Sequence, residues 1–210
     1  MPLQNRITPF AEIVAHPARG TLMGNRGILH DAGQRLGQAR WRHPHWIVCR
    51  LEFKGRRRRV MAPRAYTELF FLDEAVALAA GHRPCAECRR AAFDAFRSAW
   101  GEALGELAPL RAPEIDRALH RTRVEPGSRR QMTFAAELDA LPDGVFVTLA
   151  GEPTIACLVL GGRLFPYAPE GYGPPRARPS DRAVRVLTPS LTVGVLAAGY
   201  RPELHPSALV

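Results

Sequence analysis

The sequence predicts an α+β protein, with an N-terminal β-ribbon-like unit carrying short helices, packed on a β-rich C-terminal half. Three observations predict it. Trp46 to Phe53 alternates as a strand does, and Lys54-Gly55 supplies a turn after it. Ala92, Phe93, Phe96 and Trp100 are spaced for one apolar helix face. After Leu141, short apolar runs separated by Asp-Gly and Gly-Gly replace that helical spacing.

In chain order, residues 1–45 are rich in Gly, Pro, Arg and His with little periodicity, and read as mostly irregular, with a turn at Gly24-Asn25-Arg26-Gly27. The ribbon follows: Trp46–Phe53, the turn, then Arg56–Met61 as the returning strand, stopped by Pro63. Tyr66–Phe71 is a third strand. A short helix starts at Leu72-Asp73-Glu74, where the Asp73 charge suits a helix N-terminus, and Gly81 closes it in the left-handed region. A second helix is expected over about Ala86–Leu104 and a third over Pro113–Val124, with proline in its first turn. Strands follow at Gly144–Leu149, Ile155–Leu160, Arg163–Tyr167 and Ala183–Leu187, around a Pro/Gly-rich loop at Pro166–Pro179. Thr188-Pro189 opens a last helix that Gly199 closes. The segments Leu78–Pro84 and Leu196–Pro202 share the order L-A-A-G-x-R-P, read either as recurring cap chemistry or as a degenerate duplication. The chain divides into 1–107 and 108–210, or folds as one continuous domain.

At 210 residues, 46% of them hydrophobic, the chain is long enough to bury a real core. It has no apolar run that could span a bilayer and no basic-then-apolar leader, so the expectation is a cytoplasmic protein with no membrane partner. Four cysteines at this length do not make a disulfide scaffold. The charge is unevenly distributed. Residues 1–65 hold thirteen Arg or Lys against Glu12, Asp31 and Glu52, whereas residues 66–210 hold sixteen against seventeen acids. The excess therefore lies in the first third, which implies one polyanion-facing surface. Its candidate contacts are Arg40, Arg42, Arg56, Arg57, Arg58 and Arg59, with Trp41 and Trp46 as stacking partners for DNA or RNA bases. A charged edge that blocks strand pairing is the other reading of the same arginines.

Cys85-x-x-Cys88 opens a helix after Gly81-His82-Arg83-Pro84, and two thiols at that spacing can turn onto one tetrahedral metal ion. No thioredoxin-like strand pattern precedes the pair, which argues against a redox motif. Phe70, Phe71, Glu74, Ala75, Gly81, Arg83, Pro84, Cys85 and Cys88 together resemble the zinc domain of the Ada DNA alkylation-repair protein and its stand-alone relatives. The resemblance covers about residues 66–90, more loosely from residue 24. It implies a zinc ribbon whose first ligand pair follows a Gly-Asn turn. Here that turn is followed by His30 and then Gln34, which departs from the family pattern, since Gln34 is no zinc ligand.

The expected ligand set is His30, Cys49, Cys85 and Cys88 around Zn2+, with His43 or His45 as substitutes. Cys49 alternates with Ile47, Leu51 and Phe53 and also reads as a core thiol, and Cys157 reads more simply so. In Ada the first cysteine accepts a methyl group from a DNA phosphotriester; an imidazole at His30 cannot do thiolate chemistry, so methyl transfer is not expected. A zinc deaminase is excluded, because its P-C-x-x-C needs an H-x-E or C-x-E upstream and neither stands before Pro84 in this chain. Asp116 and His120, at i and i+4, can hydrogen-bond, and Glu170, Tyr172 and His205 lie near polar loops that can border a pocket. None of them assembles a reaction. The expected function is nucleic-acid binding with structural zinc, in DNA repair or processing. Alternatives are a nucleic-acid-acting enzyme with its site between the halves, and a basic adaptor for a protein partner.

Overall fold

The computed structural model describes residues 1–56, 59–105 and 110–209, and the fold is α+β. Its N-terminal strands are β1 (Gln4–Ile7), β2 (Ile13–Ala15), β3 (Leu22–Asn25), β4 (Ile47–Arg50), β5 (Leu69–Phe71) and β6 (Arg83–Pro84), in the sheet order β2-β1-β5-β3-β4-β6. Helix α1 (Glu74–Ala79) joins β5 to β6; α2 (Arg90–Leu104) and α3 (Ala112–Arg123) follow. The second sheet comprises β7 (Phe134–Glu137), β8 (Phe146–Leu149), β9 (Glu152–Leu160), β10 (Arg163–Ala168), β11 (Gly171–Tyr172), β12 (Arg176–Ala177) and β13 (Ala183–Val186). Its order is β11-β10-β9-β8-β13-β7, with β12 also on β10, and α4 (Ser190–Ala197) comes last.

Three expectations change. Residues 1–45 contain β1, β2 and β3, each three or four residues long, too short to show a period. β1 and β3 are positioned by pairing with the later strands β5 and β4, and β2 by pairing with β1. Gly24 shows the constraint: a Cβ there would stand 2.1 Å from the Ile47 carbonyl oxygen, so only glycine lets β3 lie on β4 at this register. The returning strand of the ribbon does not form among the described residues. Arg59–Met61 carries no strand, Arg57 and Arg58 lie outside the described residues, and β4 pairs with β3 and β6 instead. The expected loop at Pro166–Pro179 includes β11 and β12, two residues each, both paired to β10.

Two apolar clusters fill the interior, and both draw on the first and second halves of the chain. One packs Phe71, Val76 and Ala79 with Phe146, Leu158 and Phe165. The other packs Phe96, Trp100, Ile115 and Leu119 with Val147, Val159, Val184 and Leu196. Cys157, on β9, is a buried core thiol of this second cluster. Strand β13 alternates cleanly, Val184 and Val186 inward and Ala183 and Arg185 outward.

Helix α1 is buried along its whole length, so both its ends must be satisfied from within the protein. Asp73 caps the start, its Oδ1 accepting the Val76 N–H at 3.0 Å. At the other end His82 N donates to Ala77 O and Gly81 N to Leu78 O, a Schellman turn with Gly81 at φ +83°. Gly199 closes α4 the same way, with Tyr200 N on Val195 O and Gly199 N on Leu196 O. The L-A-A-G-x-R-P echo is thus one capping device used twice.

Gln131 Nε2 meets the Ala79 carbonyl, and two buried arginines meet the two carbonyls that follow. Arg26 Nη2 donates to Ala80 O at 3.2 Å and Arg123 Nη1 to Gly81 O at 2.7 Å, placing positive charge where the helix dipole is negative. Both guanidiniums lie over the Trp46 ring, 4.0 and 3.8 Å from its centroid. His82 fits between the rings of Trp46 and Phe71, and its Nε2 accepts from Arg26 Nε.

Burial, and then the two cations, hold the His82 imidazole well below its usual pKa, so it is neutral in the fold. Below about pH 6.5 the unfolded chain takes up that proton first, and stability is lost as pH falls. The loss is expected to grow as pH falls until His82 itself protonates. His43 and His120, both also lowered chiefly by burial, add in the same direction. Urea midpoints measured between pH 7.5 and 5.5 check this, and a flat midpoint would contradict it.

Candidate metal centre

The parallel pairing of β6 with β4 builds the site. Ile47 stands opposite Arg83 and Val48 opposite Pro84, and Cys85 N donates to Val48 O at 2.9 Å. Carrying that register one residue further sets Cys85 beside Cys49. The chain then turns through Ala86 and Glu87, so Cys88 comes back to the same place before α2 begins at Arg90. That turn is why α2 starts four residues later than its apolar spacing predicts.

The result is a cluster of three sulfurs, Cys49, Cys85 and Cys88, all within 4.8 Å of one another. Cys85 is buried, and Cys49 and Cys88 are half-buried. Glu87 N donates to Cys85 Sγ at 3.4 Å. The Cys85 thiol is lowered, first by the hydrogen bond from Cys49 and then by the backbone N–H groups of Cys88 and Glu87, against the opposing effect of burial. Cys49 is raised in return, chiefly by its hydrogen bond to Cys85, and Cys88 is raised chiefly by burial. Backbone donors turned onto sulfur stabilise thiolate, the form that binds metal. The three cysteines can hold a metal ion.

His30 is not brought to the cysteines. Its Nδ1 lies 2.6 Å from Thr67 Oγ1 and its Nε2 3.2 Å from Ala62 O, so both ring nitrogens are committed and it acts as a buried brace. Neither substitute joins the sulfurs. His45 Nδ1 pairs with Asp116 Oδ2 at 2.8 Å, and the His43 ring stacks beside His45 with its Nδ1 buried and unpartnered.

Sequence reasoning missed Glu87. It is the second variable residue between Cys85 and Cys88, and its carboxylate holds Arg56 Nη2 at 2.8 Å and Lys54 Nζ at 3.6 Å. Those contacts, the Arg56 hydrogen bond foremost, hold the Glu87 carboxyl below its ordinary pKa. The cysteine turn and the basic loop after β4 are thereby tied together. Nothing in the spacing of C-x-x-C marks its variable positions, so no sequence signal pointed to this pair.

The arginine candidates separate into groups. Arg56 and Arg59 are exposed on the loop; Arg57 and Arg58 lie outside the described residues. Arg42 is exposed and Arg40 half-buried on the 37–45 stretch, where they donate to the Ile28 and Gly37 carbonyls. Trp46 is only 2% exposed and cannot stack on a base. Trp41 is half-buried against Trp46 and His120, with centroids 5.7 and 5.6 Å apart.

The expected Asp116–His120 hydrogen bond is replaced by better partners. Asp116 takes Arg83 Nε at 2.8 Å and Nη2 at 2.9 Å, besides His45, and His120 Nδ1 lies 3.0 Å from Arg123 Nη2. Tyr172 Oη donates to Asp73 Oδ2 at 2.8 Å, the His205 N–H donates to the same oxygen, and Glu170 meets His16 at 3.2 Å. A groove of about 660 Å³ between α2 and residues 198–203 is lined by Glu74, Arg89 and Tyr200. There Glu74 accepts from both Arg89 Nη atoms, from Tyr200 Oη and from Glu203 N, so its charge is fully used in packing.

Comparison of the chain with family models, curated proteins and solved structures yields no match.

Proposed function

We propose that this protein is an Ada-like zinc module that binds nucleic acid, in DNA repair or processing, with Cys49, Cys85 and Cys88 holding the ion and the loop from Lys54 to Arg59 meeting phosphates. The observation that carries the reading is the Glu87 bridge. A residue inside the cysteine turn grips Arg56 and Lys54, so a metal that fixes the turn also fixes the loop. Bound zinc would supply a crosslink between β4 and the cysteine turn, which backbone pairing and the Glu87 ion pairs otherwise hold together. Glu87 offsets part of the loop's charge, and the exposed Arg42 and Arg59 add positive charge beyond it. The donor set fits a soft ion: three thiols, no carboxylate among them, with backbone N–H groups on sulfur.

The test is oligonucleotide binding by anisotropy across a salt series. Affinity is expected to fall steeply with salt. Changing Arg42, Arg56 and Arg59 to alanine should flatten the slope of log K against log salt by about 0.9 for each duplex phosphate that is no longer neutralised. Chelation should weaken binding alongside. Binding that is absent at low salt, or unchanged in the triple variant, would remove the nucleic-acid reading and favour the basic adaptor.

A further inference from the structure

The three-cysteine cluster is one donor short. Zinc completes four ligands, and a site with three protein donors keeps its fourth position for something from outside the chain. Among the described residues no further His, Cys, Asp or Glu shares the 4.8 Å cluster. The candidates are each spent elsewhere: His30 on Thr67 and Ala62, His45 on Asp116, Cys157 in the second core, Glu87 on Arg56 and Lys54. Cys49 is half-buried, so the cluster meets solvent on the Cys49 side.

Resting on the metal reading above, we infer that this centre is an open one that takes an exogenous thiolate as its fourth ligand. Three thiolates leave a divalent ion with a net negative, sulfur-rich shell, in which another soft donor competes better than a hard oxygen anion. The cost of bringing in a fourth negative charge is offset by Lys54 and Arg56 at the neighbouring loop and by the N–H donors of the turn. Binding a thiol RSH places RS⁻ on the ion and releases one proton to solvent, with no change in oxidation state.

The experiment uses full-length protein loaded with Co2+ and, separately, Zn2+, titrated with 2-mercaptoethanol. The expected result is a saturable rise of about one third in sulfur-to-cobalt charge-transfer absorption, in proportion to four metal–sulfur bonds in place of three. X-ray absorption at the zinc edge should count three sulfurs and one lighter atom before thiol, and four sulfurs after. One metal per chain with a thiol-insensitive spectrum would overturn the inference while leaving the metal site intact, because a group of the protein then closes the shell. Thiol that merely strips the metal overturns it as well. Protein that binds neither ion overturns the inference and the metal reading together.

Discussion

Replacing Arg83 by alanine is expected to destabilise the protein by about 3–5 kcal/mol. The reason is Asp116. Its carboxylate is 1% exposed, and Arg83 grips it through two hydrogen bonds of 2.8 and 2.9 Å. Without Arg83, a buried negative charge keeps only His45, which is itself half exposed. Removing both charges should cost much less: Arg83→Met with Asp116→Leu is expected to recover most of the stability, since an apolar pair carries no desolvation cost. Arg83 also lies in β6, the strand whose register sets Cys85 beside Cys49. Arg83→Ala should therefore weaken metal binding as well as stability. Urea unfolding of the two single variants and the double measures the coupling directly. A double variant no better than Arg83→Ala would contradict this account of the pair.

Cys85→Ser should abolish metal binding, because Cys85 is a buried residue and its sulfur is the one on which the hydrogen bonds converge. With free zinc a hundredfold above the dissociation constant, the ion contributes about 2.7 kcal/mol to the wild type. At about 2–4 °C per kcal/mol for a chain of this size, the variant should melt about 5–11 °C lower in zinc. The two proteins should differ far less after chelation, since the cores do not depend on the ion. Cys157→Ser serves as the control: it places a hydroxyl in the second apolar cluster, so its loss of stability should persist with or without zinc. Equal melting shifts for Cys85→Ser in both conditions would mean that the thiol acts only by packing.

The helices were legible because each carried its own signal: Asp73 before α1, Gly81 after it, Phe93, Phe96 and Trp100 along α2, the proline of α3, Gly199 after α4. Cys85 and Cys88 were legible for the same reason, being local. Cys49 could be named only as one choice among several, since the register that brings it to Cys85 is made by β6, a strand of two residues. His30 was misplaced because its alignment to a ligand position depended on counting along the chain, whereas in the fold it braces Thr67 and Ala62. The aromatic-basic cluster misled in another way. Trp46 and its neighbouring arginines look like a nucleic-acid surface in sequence, yet Trp46 is the filling of a buried sandwich with Arg26 and Arg123, residues 20 before and 77 after it. Contacts over that separation leave no periodic trace.

The measurement that bears most directly on the metal centre is elemental analysis of the untagged, purified protein, paired with a thiol count on the native fold. About one zinc per chain, with Cys49, Cys85 and Cys88 protected from alkylation until a chelator is added, is the expected result. A well-folded protein with no metal after zinc exposure, its Cys49 and Cys88 reacting freely from the start, would contradict the site.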